Sequence, residues 1–357
     1  TVNLRLRALW IPIVAWVVST TIGCPCTDSV INSSPWLRWQ IFANFGANNV
    51  CSEMTKRGAL LSVPVPIAGF PPAVGRFYPQ TCQSALNEDR KTLSIWMTGN
   101  GYAWTPVTQK MGFECSVAVE YKPDFHKSGD TIYVWFDAVD TPSPQFRIVH
   151  VEQAVTNVAL SLYPMEWFAG QMAQSFVKEQ LAKGFTVIRQ DDQDDFSLGR
   201  LAVGQRPVHP WQVVGKDRFT FANETTEIRG LQQDFLGPFE IEGKDRALFL
   251  RMQVQGPPID VFVVSKDAGY QWRMQYQTIS PPTPPPAGAS IIQSGQTPPS
   301  GYFEGWVPVA PGAYYVVLDN SISAGSVQPP LKIPTPVDPS RAVGAKVSYL
   351  VQTGDRP

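Results

Sequence analysis

The chain has 357 residues, with 29 Lys and Arg against 30 Asp and Glu, and nothing in this near-neutral balance suggests a phosphate-binding face, so nucleic acid is not the expected partner. Only 17% of the residues are charged while 33 are proline and 27 glycine, which describes a turn-rich chain and favours β structure over a helical bundle. The length exceeds the ~250–300 residues at which a single core stops growing, so two domains are expected.

Residues 1–23 read as a targeting segment. Arg5 and Arg7 precede the apolar run ALWIPIVAWVV, Ala8 to Val18. About eleven apolar residues are too few to cross a bilayer, which takes ~20, so a cleaved signal fits better than a stable span. The residues Thr21-Ile22-Gly23-Cys24 resemble the bacterial lipobox, with Thr21 standing where that motif usually has Leu. The resemblance implies that Cys24 carries a lipid and anchors the mature chain in the bacterial cell envelope, at the outer membrane facing the periplasm or the surface. The alternative is an ordinary signal or an uncleaved anchor, with Cys24 in a disulfide. If Cys24 is acylated, Cys26, Cys51, Cys82 and Cys115 remain, and an exported compartment would let all four pair, in any of three connectivities. No CxxC and no neighbouring histidine accompanies them, which argues against zinc.

Ser33-Ser34-Pro35 followed by WLRWQIFANFG predicts a capped helix that stops at Gly46, and Asn48 or Asn49 caps a second short helix, VCSEMTKRG. The period then changes. LLSVPVPI, KTLSIWMTGNGYAWTP, FECSVAVEY, TIYVWFDAV and FRIVHVE are β-branched and aromatic runs between turn signals, and predict an antiparallel meander. Within it Trp96, Tyr102, Trp104 and Trp135 are either core or exposed rings for sugars or a membrane interface.

A helix is expected over 164–184, from Pro164 to Gly184, with Met165, Phe168, Met172, Phe176 and Leu181 forming one apolar stripe. The stripe packs on the sheet, or its soft Met and Phe side chains line a cavity for an acyl chain or another apolar ligand. The second reading would make the chain a periplasmic lipid carrier, in an architecture resembling the tubular lipid-binding proteins in element order alone. Asp191, Asp192, Asp194 and Asp195 then crowd a hairpin tip. Such oxygen donors suit Ca²⁺, and the alternative is a solvated acidic turn, since neither the EF-hand ligand order nor its glycine is present.

Loss of periodicity around RPVHPWQVVG places a linker at 207–214, between an α+β domain at 24–206 and a β-sandwich at 215–357. There, DRFTFAN, TEIRGLQQ, DFLGPFEIEG, ALFLRMQVQ, IDVFVVSK, YQWRMQYQT, YFEGWVPV, AYYVVLDN and KVSYLVQT are all read as strands. In ALFLRMQVQ, Leu248, Leu250, Met252 and Val254 alternate with Phe249, Arg251 and Gln253, the period of a half-buried strand. The run from FEIEGKDRALFLRMQVQ through the Pro311-Gly312 turn, Tyr314-Tyr315-Val316-Val317-Leu318 and Gly325 to VSYLVQTGD resembles the bacterial pre-peptidase C-terminal domain and, more loosely, the GOLD domain. That resemblance implies a jelly-roll sandwich serving as a non-catalytic binding module. The proline-rich insertion SPPTPPPAGASIIQSGQTPPS reads as an extended loop outside any ladder.

The predicted fold is therefore mostly β within an α+β class, an N-terminal antiparallel sheet packed on helices and then a jelly-roll-like sandwich. No nucleophile elbow, HExxH, P-loop or dinucleotide fingerprint occurs, and His126, His150 and His209 are isolated. The expectation is a non-enzymatic envelope protein without a cofactor, held to the membrane by its lipid and meeting a protein or glycan partner.

Overall fold

The structure, a computed structural model, describes residues 25–56, 65–67, 70–105, 110–142, 144–152, 181–191, 193–213, 218–333 and 341–355. The expected signal segment 1–23, Cys24, the side chain of Cys26 and most of the expected helix 164–184 lie outside the described residues.

The N-terminal part opens with helices α1 (Pro25–Ser33), α2 (Pro35–Ile41) and α3 (Val50–Lys56), with a π-helical turn at Phe42–Gly46 and a 3₁₀ turn at Ala47–Asn49 between the last two. Ser34 caps α2, its hydroxyl accepting from the Leu37 amide, and Pro35 takes the first helical position where no amide proton is needed. Trp39 and Phe42 are buried from this layer. An eight-stranded antiparallel sheet follows: β1 (Val65–Ile67), β2 (Phe70–Asn87), β3 (Thr92–Trp104), β4 (Met111–Ser128), β5 (Thr131–Asp140), β6 (Gln145–Val151), β7 (Phe185–Gln190) and β8 (Gln193–Leu198). The expected meander holds from β1 to β5, but the far side of the long β4 is divided. Its first half pairs β6 and its second half pairs β5, which continues to β7 and β8.

Odd-numbered residues of β3 and β4, among them Leu93, Ile95, Met97, Phe113, Val117, Val119 and Tyr121, join Trp39, Phe42, Phe136, Leu181 and Phe185 in one core. The Phe136 and Phe185 rings stack at 4.2 Å. Strand β2 was not expected, because Pro71, Pro72 and Pro79 interrupt its run; the ladder absorbs Pro79 through a register shift between Pro79 and Thr81.

The C-terminal part is β9 (Phe219–Ile228), β10 (Gln232–Ile241), β11 (Arg246–Gln255), β12 (Asp260–Ser265), β13 (Ile291–Gln296), β14 (Tyr302–Pro308), β15 (Gly312–Asn320) and β16 (Ala345–Asp355), with one helix, α4 (Lys266–Thr278). The strands form two four-stranded antiparallel sheets in the orders β10-β15-β12-β13 and β14-β11-β16-β9. Eight strands distributed in this way, with sequence neighbours β9 and β10 in opposite sheets, make a jelly roll. Leu248, Leu250, Met252 and Val254 are buried in its core with Val347, Tyr349 and Val351 from β16, as their alternation predicted.

Two readings of this part are corrected. YQWRMQYQT is α4 and not a strand: its buried residues fall in four-residue steps, Ala268 and Gly269, Trp272 and Arg273, Tyr276 and Gln277, the spacing of one helix face. Its Trp and Tyr rings had argued for strand. The proline-rich insertion does enter a ladder. Ile291 to Gln296, the part free of proline and with two β-branched residues, pairs β12 as strand β13.

Candidate functional site

The two parts meet along a buried seam. From Gly99 onward β3 is covered on both faces: Ala103 faces the N-terminal core while Tyr102 and Trp104 pack into the jelly-roll cluster beside Tyr78 of β2. Ladder pairing sets Arg76 opposite Tyr102 and Tyr78 opposite Asn100, so these side chains share one face. On the other side stand Asp234 and Phe235 of β10 and the inner face of α4.

Arg76 meets Asp234 bidentately, Nη2 donating to Oδ2 at 2.7 Å, with both side chains almost fully buried. Asp234 also accepts from the Tyr102 hydroxyl at 2.6 Å and from Thr226 at 3.0 Å. Burial opposes the Arg76 charge, yet the pull of the Asp234 carboxylate holds its pKa raised. Burial likewise pushes the Tyr102, Tyr276 and Tyr349 hydroxyls well above their ordinary range, so they stay protonated as donors. Trp104 Nε1 donates to the Tyr276 hydroxyl at 2.8 Å, and that hydroxyl donates to Gln232 Oε1 at 2.6 Å. Arg273 donates to Asn100 Oδ1 at 2.6 Å and lies over the Tyr78 ring at 3.9 Å.

Lys110 ends the seam. Its ammonium donates to the Ile279 carbonyl at 2.7 Å and sits 4.1 Å from the Tyr276 ring centre; burial lowers its pKa to about 8, against the pull of Glu152. Gly112 lies where the end of α4 comes closest, since a Cβ there would stand 2.1 Å from the Gln277 carbonyl oxygen. These groups are engaged with one another and closed to solvent, so their chemistry is that of a weld between two layers. A hydroxyl–imidazole contact lies nearby, Ser280 Oγ to His150 Nε2 at 2.8 Å, with the His150 pKa lowered by burial and then by Lys110. Among the described residues no carboxylate hydrogen-bonds its other ring nitrogen, so they supply no orienting third member of a nucleophilic triad.

A second buried polar row crosses the sheet that carries α4. Gln233 of β10, Asp319 of β15 and Asp260 of β12 stand opposite one another in the ladders. Asp319 Oδ1 accepts from Ser321 at 2.7 Å and Asp260 Oδ2 from the Val327 amide at 2.9 Å. Burial raises both carboxyls, Asp319 to about 7.

The outer face of the β14-β11-β16-β9 sheet is aromatic and basic. Arg218 lies 4.8 Å from the Phe249 ring and 4.9 Å from Trp306, while Arg251 spans Trp211 and Phe249 and pairs with Glu304 at 2.9 Å. Trp211 meets Tyr302 edge-on at 5.9 Å, and Tyr302 is 49% exposed.

Of the residues singled out in the sequence, Cys51 in α3 and Cys82 in β2 form a disulfide that ties the helical layer to the sheet. Cys115 is a free, buried thiol in β4, pushed up to about 12 by burial, which corrects the expectation that it too is bridged. Its side chain belongs to the inward-facing set of β4 and packs as a small apolar residue. Met165, Phe168, Met172 and Phe176 lie outside the described residues, as does Asp192. Asp191 forms the hairpin turn at φ +50°, Asp194 stands opposite Arg189, and Asp195 is held by Arg206 at 2.8 Å and His209 at 3.4 Å. Asp195 is thus ion-paired, and among the described residues no group of three or more His, Cys, Asp and Glu could hold a metal ion. Of the aromatic region, Tyr102, Trp104 and Trp135 are core and Trp96 is 44% exposed.

The seam and the carboxyl row were missed in the sequence although each left a trace there. Arg76, Asp234, Asp260 and Asp319 are charges inside apolar strand runs (VGRFY, QDFLG, IDVFVV, VVLDN), and a charge in such a run is buried only if paired or neutralised.

No protein-family model matches the chain, and no curated protein matches it. Among solved structures, the Bombyx mori GH32 beta-fructofuranosidase BmSUC1 aligns over 80% of this chain and 82% of its own at 10% identity, with a TM-score of 0.14, a likeness too low to carry an argument about fold or activity.

Proposed function

We propose that the chain is an exported, non-catalytic protein of the bacterial cell envelope, anchored through a lipid on Cys24 and working as a binding or structural module. The observation that carries this reading is the outer face of the β14-β11-β16-β9 sheet, where Tyr302, Trp306, Trp211 and two arginines stand together on a rigid scaffold. Flat rings flanked by guanidinium groups suit a protein or glycan partner. The Cys51–Cys82 disulfide supports an oxidising, exported compartment.

Two measurements test it. The Tyr302→Ala, Trp306→Ala double variant is expected to lose at least about tenfold in binding to isolated envelope material, since the exposed Tyr302 ring and the half-buried Trp306 ring each supply on the order of 1 kcal/mol; unchanged binding removes this face from the reading. Cys24→Ser is expected to leave the detergent phase while remaining folded, and retention in that phase removes the lipid anchor.

A further inference from the structure

The segment 199–213 between β8 and β9 carries neither helix nor strand, yet it is fastened at both ends of a short path. His209 is the fastening. Its Nδ1 lies 2.8 Å from the backbone carbonyl of Asn223 in β9, and its Nε2 lies 3.4 Å from Asp195 Oδ1 at the β7–β8 hairpin. A carbonyl oxygen and a carboxylate can only accept hydrogen bonds. A neutral imidazole carries one N–H, so one of the two contacts would set a ring lone pair against an oxygen lone pair; the doubly protonated ring donates to both.

The neighbouring charges point the same way. Asp195 faces the ring from the hairpin and Glu224 from β9, while Arg206, in the segment itself, donates to Asp195 Oδ2 at 2.8 Å and to Gln190. Beyond the ring, Asn223 and Trp211 exchange two hydrogen bonds, Asn223 Nδ2 to the Trp211 carbonyl at 2.8 Å and the Trp211 amide to Asn223 Oδ1 at 3.2 Å. Trp211 then lies against Arg251 and Tyr302 on the outer sheet face. The contact at His209 therefore joins the hairpin of the first part to the strand and aromatic face of the second.

We propose that His209 is a pH-operated clasp between the β7–β8 hairpin and strand β9, closed when the ring carries both protons and loosened when it carries one. The close contact with Asp195 is the main cause that raises the His209 pKa above 6.5, and the same contact lowers that of Asp195 below 3.8. A raised histidine value means that the clasp's contribution is complete below pH 6.5 and is lost as pH rises through the folded value. A depressed carboxyl value means that the Asp195 contribution is complete above pH 3.8 and is lost as pH falls through the folded value. Deprotonation would free the segment that carries Trp211, and so would alter the face assigned above to binding; the clasp itself does not depend on that assignment.

Hydrogen exchange of the full chain tests the proposal, comparing peptides within 199–213 at pH 6 and pH 8.5 after correction for intrinsic rates. Protection of that segment in the wild type is expected to fall at least about fivefold at the higher pH, with β11 and β16 unchanged. In His209→Gln the fall should shrink to less than about twofold, and in Asp195→Asn, which leaves the ring in place, the His209 proton resonance should titrate closer to 6.5 than in the wild type. A wild-type segment whose protection is independent of pH, a pH dependence that survives His209→Gln, or a wild-type His209 titrating at or below 6.5 would each overturn the clasp. If His209→Gln fails to fold, the wild-type and Asp195→Asn titrations decide the matter without it.

Discussion

Replacing Asp319 by Asn should make the protein more stable at pH 8 and flatten its dependence on pH. Asp319 lies in the central strand β15 with no solvent exposure, between Gln233 and Asp260. Its Oδ2 and the Gln233 Oε1 opposite have no hydrogen-bond partner among the described residues, and both are acceptors when the carboxyl is ionised. Burial first, with the neighbouring Asp260 adding to it, raises the pKa from 3.8 to about 7. An acid whose folded value is raised contributes stability below its unfolded value and loses that contribution as pH climbs through the folded one. Linkage at about 1.4 kcal/mol per pH unit over this interval gives a loss of about 2–3 kcal/mol between pH 5 and pH 8. Asn has the same shape and no charge. Its amide can donate to Gln233 while its oxygen keeps the Ser321 bond. Urea unfolding of both proteins at pH 5 and pH 8 gives the comparison, and the wild type should lose about 2–3 kcal/mol more than the variant across that range. Asp260 is also raised by burial and remains in both proteins, so its contribution largely cancels. Equal pH slopes, or a variant less stable than the wild type at pH 8, would refute the claim that Asp319 is the group concerned.

Arg76→Met should cost about 3–5 kcal/mol by leaving the Asp234 carboxylate buried without its cation, and pairing it with Asp234→Leu should restore much of that loss in a denaturant double-mutant cycle. Removing the Cys51–Cys82 bridge, which closes a loop of 31 residues, should lower stability by about 3–4 kcal/mol in the same assay, with the sheet content seen by circular dichroism retained. The Cys115 thiol should resist an aromatic disulfide reagent in the native state and react on unfolding, because burial both blocks access and holds it protonated; rapid native labelling of this residue, located by peptide mapping, would contradict its placement. Gly112→Ala should destabilise by about 1–3 kcal/mol, since either β4 or the end of α4 must shift, and a neutral result would show that the two do not approach as closely as described.

What the sequence revealed was whatever repeats at short range. Leu248 to Val254 alternate over seven residues, and the strand lies where the alternation puts it. The Ser34-Pro35 pair marks a helix start because the cap and the missing amide are local facts. The errors arose where local signals conflict with burial. Tyr270, Trp272 and Tyr276 have strand-favouring side chains, yet α4 is helical because its buried residues meet the sheet at four-residue steps. Pro79 disguised β2, a strand that tolerates the missing amide at a register shift. The seam was illegible for a different reason. Arg76 and Asp234 are 158 residues apart, and no periodicity connects them.

Strand β3 places an unusual constraint on how this chain can vary in length. Between Gly99 and Trp104 its odd residues serve one core, with Gly99 and Gly101 against the Phe77 and Phe113 rings, and its even residues, Asn100, Tyr102 and Trp104, serve the other. Because side chains alternate faces with a period of two, inserting or deleting one residue here would exchange the two sets at once. Bulky rings would be driven where only glycine fits, and glycines would leave holes where Tyr102 and Trp104 stood. A strand with one wet face can bulge toward solvent to absorb such a change, but this stretch has no wet face to use. Gains and losses of residues among relatives should therefore fall outside 99–104, whereas paired substitutions that keep small residues at odd positions and hydrogen-bonding rings at even ones remain open to drift.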